Sequence, residues 1–361
     1  MSHSKNINYM PRVDHLRLYA ATLVILVHSY ILAGGGESSN FFMFPIMYGS
    51  TGVTLFLVLS GFLFTLIANG GKKELKYAPF ITNRLLRVFP LFIVVAFTAM
   101  ALHRDTATFN DFLSIFLFSN LASSPTIKFL GPTWTIAVEL QFYLIFPFIM
   151  AFVRNMGRRY VFGLLIFWVL WRILIIYQVN PMDGTPVDNG FYYMTIIGRL
   201  DQFLIGIIAA FIYLDYKRLF SNPIVLAVAA TCVLLMTYYL PNWGAWYSPW
   251  PKMALLGMLE PIAWAFLIVS YLSCSFPKLL LVSTVTAALG ELSYSAYITH
   301  GLILDTIERN NLWVSFIGNA NGNAILNGLL IVMPAVLAVS WLSFNYIEKP
   351  FLSLRKIYAT K

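Results

Sequence analysis

Apolar stretches of about 17 to 25 residues, each long enough to cross a hydrocarbon core as a helix, recur along the whole chain. They fall at roughly 16–34, 44–68, 85–103, 133–153, 160–178, 196–214, 223–240, 253–273, 281–301 and 324–345. The pattern predicts an all-α polytopic membrane protein with about ten transmembrane helices. The apolar segment around 109–122 is too short for a span and reads as an interfacial or re-entrant piece. Between the stretches lie polar connections: a Gly-rich one at 34–40, an acidic one at 180–190 and an aromatic-rich one at 241–251. Trp and Tyr in the last of these suit interfacial anchoring or stacking on a sugar ring. No Ser-, Pro- or Gly-rich run divides the chain, so 1–361 reads as one membrane-embedded domain, with 346–361 a short basic tail.

Charge fixes the orientation. With the N-terminus inside, the inner ends and loops hold Lys5, Arg12, Arg17, Lys72, Lys73, Lys76, Arg84, Arg87, Arg154, Arg158, Arg159, Lys217, Arg218, Lys278, Lys349, Arg355, Lys356 and Lys361, which is 18 of the 24 Lys and Arg. The outer loops hold Arg104, Lys128, Lys252 and Arg309, and Arg172 and Arg199 lie within spans. This split predicts an even number of spans with both termini cytoplasmic, in a cytoplasmic (inner) membrane. A chain 59% hydrophobic and 11% charged is too apolar for a soluble globular protein of 361 residues. The net charge of +9 therefore follows from topology and not from nucleic-acid binding, for which no soluble basic groove exists. Cys232 and Cys274 have neither disulfide nor metal-ligand spacing, and Arg17 and His28 interrupt the first stretch too much for a cleaved signal.

Against this apolar background the ionisable positions stand out. Arg17 and His28 are eleven residues apart in the first stretch. At about 100° and 1.5 Å per residue they share a helix face and lie about 16 Å apart along it. Asp14 falls on the same face. An ionisable side chain at membrane depth is a functional candidate, or else a hydrogen-bond partner of a neighbouring helix. Arg84 and Arg87, three residues apart, share a face at the start of the third stretch, with Lys72, Lys73 and Lys76 just upstream. They serve as cytoplasmic anchors or as a phosphate site, since guanidinium binds phosphate as a bidentate fork. Glu139 lies about two turns inside the fourth stretch and needs a partner, for which His28, Arg172 and Arg199 are candidates. Arg199, Asp201 and Gln202 make a polar knot that self-neutralisation by Arg199 and Asp201 would explain. His300 reads as an ordinary interfacial histidine, below hydroxyls of the ninth stretch that suit a pocket.

Taken together and in order, these blocks resemble the integral-membrane acyltransferase-3 family. They are Arg17-x10-His28, the Gly52–Leu63 stretch, Arg84-x-x-Arg87 with Pro90, Trp134-x4-Glu139-x-Gln141-Phe142-Tyr143 with Pro147, Ser293-Tyr294-Ser295-x-Tyr297-x2-His300, and Glu348-Lys349-Pro350. Leu140 stands where many members carry a second glutamate, which leaves the carboxylate role to Glu139. The resemblance covers essentially the whole chain and is to the stand-alone type, without a fused hydrolase-like outer domain. It implies an O-acyltransferase, most simply an O-acetyltransferase, that takes its acyl group from cytoplasmic acyl-CoA without a metal. The acceptor would be a hydroxyl of a carbohydrate or lipid-linked saccharide at the outer side. On this basis Arg17, Arg84, Arg87, Lys72 and Lys73 are expected to meet the donor's phosphates. His28 is expected to act as general base, or to carry the acyl group covalently, with Glu139 and Asp14 in support. Trp134, Tyr143, Arg199, Ser293 and Tyr297 are expected to bind the acceptor. A transporter or ion-coupled carrier would also bury Arg, His and Glu, and remains the alternative.

Overall fold

The protein is described here by a computed structural model covering residues 6–113, 120, 133–179, 193–243, 257–275 and 280–360. The described residues form a helical bundle. Its principal helices are α1 (Pro11–Leu32), the short α2 (Phe44–Met47), α3 (Thr51–Ile67), α4 (Tyr77–Leu102), the short α5 (Phe109–Leu113), α6 (Trp134–Met156) and α7 (Arg159–Val179). They continue with α8 (Ile196–Tyr216), α9 (Pro223–Asn242), α10 (Leu259–Ser273), α11 (Leu280–Glu291), α12 (Ser293–Arg309) and the long α13 (Ala320–Ser353).

The burial pattern is that of a protein in lipid. Phe148, Ile166, Phe167 and Leu174 lie exposed on α6 and α7, while Arg172, Arg199, Asp201 and Gln202 are buried. Six of the described helices are long and apolar enough to cross a membrane, or seven if the bent pair Phe41–Met47 and Thr51–Ile67 is one span. The chain is thus an all-α polytopic membrane protein. Three of the ten expected stretches take a different form. The stretch at 44–68 bends by 64° between its two parts. The stretch at 281–301 breaks at Leu292 into α11 and α12, and the last lies inside a 34-residue helix with π-helical turns at Gly328–Val332 and Phe344–Glu348. A window average of hydropathy does not register such breaks, because they change the direction of the backbone and not the composition of the stretch. The segment 109–122 and the connections at 180–190 and 241–251 lie largely outside the described residues.

α1 is central, packed against α3, α11 and α12. α3 and α8 make the most extensive pairing, through two glycines facing each other's backbone. A Cβ at Gly61 would stand 2.2 Å from the Phe203 carbonyl oxygen, and one at Gly206 would stand 2.2 Å from that of Val58. Small residues let helices approach closely where lipid supplies little hydrophobic drive for association. At one end of the bundle the C-terminal tail folds back, and Ala359–Thr360 pairs antiparallel with Glu74–Leu75.

Candidate active site

Helix geometry brings the arginines together. Arg17 on α1 holds Asp14 one turn away, Nη1 to Oδ1 at 2.9 Å. Arg84 and Arg87 project from one face of α4. The Arg84 guanidinium lies 4.6 Å from the Phe64 ring centroid and 5.4 Å from that of Phe80. Its Nη2 donates to the Tyr358 hydroxyl at 2.9 Å. These three arginines and Arg355 of the tail line a compartment of about 910 Å³ that also meets Asn8, Tyr9, Asp14 and Glu291. Burial and the neighbouring Arg87, Arg84 and Arg17 charges bring Arg355 down to about 9. Burial and the Asp14 carboxylate push the Tyr9 hydroxyl up.

A second compartment of about 800 Å³ adjoins the first, sharing Arg17, Leu63, Phe64, Arg84 and Arg87 as walls. It reaches inward to Ser60, Glu139, Tyr143, Ser293 and Tyr297. Glu139 accepts a hydrogen bond from Ser60 Oγ at 2.7 Å. Tyr297 accepts one from Thr135 Oγ1 at 2.8 Å, and Tyr294 donates to the Val88 carbonyl at 2.6 Å. The cavity thus gathers Arg17, Arg84, Arg87, Glu139, Tyr143, Ser293 and Tyr297, seven of the residues singled out in sequence.

His28 lies just beyond this cavity. It is half-buried, and its ring stacks on that of His300, with centroids 5.2 Å apart and Nδ1 to Nε2 at 3.0 Å. Tyr297 joins the histidine pair to the cavity: it lines the inner compartment, and its ring lies 5.7 Å from that of His300. The bonding pattern assigns the tautomers. His300 Nδ1 faces the Tyr297 carbonyl at 2.5 Å, and a carbonyl can only accept. In the neutral ring Nε2 is then an acceptor, so His28 Nδ1 must be the donor and His28 Nε2 keeps its lone pair. A second proton on the pair would place a cation among apolar walls. His300 is 1% exposed and therefore not the interfacial residue its position suggested. The signal for this was the three-residue spacing from Tyr297, which puts both on one helix face.

Other expectations are revised. Asp14 lies at the arginine end, about 21 Å along α1 from His28, and serves Arg17. Glu139 bonds Ser60 in place of the expected His28, Arg172 or Arg199, because α3 intervenes with a closer hydroxyl. Asp201 pairs with Arg172 at 2.7 Å, so Arg199 and Asp201 do not neutralise one another. Arg199 donates to the Tyr193 carbonyl at 2.8 Å, with Trp134 at 5.2 Å from its guanidinium; neither Arg199 nor Trp134 lines the cavity. Lys72 and Lys73 sit in the turn after α3, outside both linings. Sequence reading missed Ser60, Arg355 and Tyr358, residue types common enough that only proximity marks them.

Such a bundle, with a cationic cavity close to a histidine pair, has the layout of a membrane enzyme. The chain belongs to the acyltransferase domain family Acyl_transf_3, which matches residues 10–345. Among its relatives is "Putative O-acetyltransferase SAS0844" of Staphylococcus aureus (strain MSSA476), 25% identical over 96% of this chain and 58% of the relative. The chain thus spans less than two thirds of that protein's length. "Nodulation protein 10" of Rhizobium leguminosarum bv. viciae is 24% identical over 95% of this chain and 93% of its own. No solved structure matches the chain.

Proposed function

We propose that this protein is an O-acyltransferase that moves an acyl group, most simply acetyl, from cytoplasmic acyl-CoA to a hydroxyl of a carbohydrate or lipid-linked saccharide at the outer side of a cytoplasmic membrane. The observation that carries this reading is the two-part cavity, cationic at one end and closed by Tyr297 beside the histidine pair at the other. Family membership and the names of the relatives support acyl transfer over the carrier alternative. The excess of Lys and Arg supports a cytoplasmic arginine end, with both termini inside and ten spans.

In this reading Arg17, Arg84 and Arg87 bind the donor's phosphates through guanidinium forks. The pantetheine arm follows the inner compartment and reaches His28 past Tyr297, over the roughly 16 Å that separates Arg17 from His28 along α1. His28 Nε2 takes the proton of the acceptor hydroxyl as its oxygen attacks the thioester carbonyl carbon. The tetrahedral adduct collapses by breaking the C–S bond. The leaving thiolate recovers the proton from His28, which gives the ester and free coenzyme A. Ser293, Tyr143, Tyr297 and Glu139 supply hydrogen bonds along this path.

The test is transfer of label from radiolabelled acetyl-CoA in proteoliposomes supplied with a saccharide acceptor. The expected result is turnover by the wild type and a fall of about 10²–10⁴-fold for His28→Ala at matched folding. Equal turnover by both proteins would remove His28 from the chemistry.

A further inference from the structure

The tail beyond α13 is held in place residue by residue. The Asn83 side chain pairs with the Lys356 backbone, donating to its carbonyl at 2.7 Å and accepting from its N–H at 2.9 Å. Asn6 Oδ1 accepts from the Tyr358 and Ala359 amides at 2.9 and 3.2 Å. Tyr358 is fully buried against Phe80, its hydroxyl on Arg84, and the strand pair with Glu74–Leu75 closes the strap. A short basic tail tethering nothing would not need this many directed bonds. It sets Arg355 between two anchored points, the buried Leu352 and Lys356, and turns it into the arginine-lined compartment.

There Arg355 is out of balance with its surroundings. Its Nε and Nη2 are buried without a hydrogen-bond partner, and so is Arg84 Nε. Four guanidinium groups, of Arg17, Arg84, Arg87 and Arg355, line the compartment. The ionisable groups facing them are the carboxylates of Asp14, Glu139, Glu291 and Glu348 and the hydroxyls of Tyr9 and Tyr358, and of these Asp14 is bonded to Arg17, Glu139 to Ser60 and Glu348 to Ser295. Buried donors left unsatisfied are costly unless an anion completes the site.

We propose that Arg355, delivered by the strapped tail, is a further binding residue for the phosphate-bearing end of the donor, completing a four-arginine site; this rests on the donor reading above. Arg355 lies beyond the residues 10–345 that the family match covers. The strap fixes both Arg355 and, through Tyr358, Arg84.

The test is calorimetric titration of the purified full-length protein with coenzyme A, which binds without chemistry. Arg355→Gln is expected to weaken binding about tenfold or more, since a hydrogen bond to a charged group is lost. Arg355→Lys should bind with intermediate affinity, because the charge stays and the fork is lost. Unchanged affinity in Arg355→Gln would overturn the assignment while leaving the donor reading intact. No binding of coenzyme A by the wild type would overturn the donor reading and this inference with it. Should Arg355→Gln fail to fold, Arg355→Lys decides, since unchanged affinity in it overturns the guanidinium fork assigned to Arg355.

Discussion

At the scale of single residues, what a side chain does here depends on which neighbour reached it first. Glu139 sits where a partner for a buried carboxylate is needed, and Ser60 supplies it at 2.7 Å. His28 gains its orientation from His300, whose Nδ1 is committed to a backbone carbonyl and whose Nε2 must therefore accept. His300 is thus a positioning residue in the proposed reaction. His300→Ala should lower kcat by about 10²-fold with KM for acetyl-CoA unchanged, because the base loses its tautomer and the arginine site does not. A rise in KM with kcat unchanged would instead place His300 in donor binding. Arg17, His28, Arg84 and Glu139 were legible in the sequence because charged groups are expensive in an apolar stretch. Ser60 and Tyr358 were not, because a serine or tyrosine in a helix or tail costs nothing and so signals nothing.

At the scale of elements, the glycines decide how closely the helices stand. α3 and α8 cross with Gly61 against the Phe203 carbonyl and Gly206 against that of Val58, and the neighbouring Ser60 reaches Glu139 on α6. Gly206→Ala would drive a Cβ to 2.2 Å from a backbone oxygen that cannot yield without moving the helix. The expected cost is about 1–3 kcal/mol, read as a lower apparent Tm in detergent. Gly163→Ala on α7, where a Cβ meets nothing within 4 Å, is the control and should be neutral or slightly stabilising. Equal effects of the two changes would mean that the α3–α8 contact does not limit stability. The helices themselves were readable from runs of apolar residues. Their breaks were not, because the turn at Leu292 and the 64° bend before α3 redirect the backbone without interrupting the apolar stretch.

At the scale of the whole molecule, the arrangement proposed above makes the arginine end cytoplasmic and the end bearing Gly36 and Asn321 external. On a background without Cys232 and Cys274, Gly318→Cys should react with an impermeant maleimide in intact spheroplasts. Lys356→Cys, across α13 (Ala320–Ser353), should react only after permeabilisation. Labelling of both from one side would show that α13 does not cross the membrane and would undo the ten-span topology. The sequence by itself determined that this chain lives in a membrane, that it is helical, and which few charged residues were costly enough to need a reason. Transfer free energy acts on each residue independently of its distant neighbours, so a linear pattern carries it. Tertiary structure alone decided the distant pairings: Glu139 with Ser60, His28 with His300, and the tail with α4. Hydrogen bonds and ion pairs act over a few ångströms between residues as many as 353 apart in the chain, and only folding brings them together.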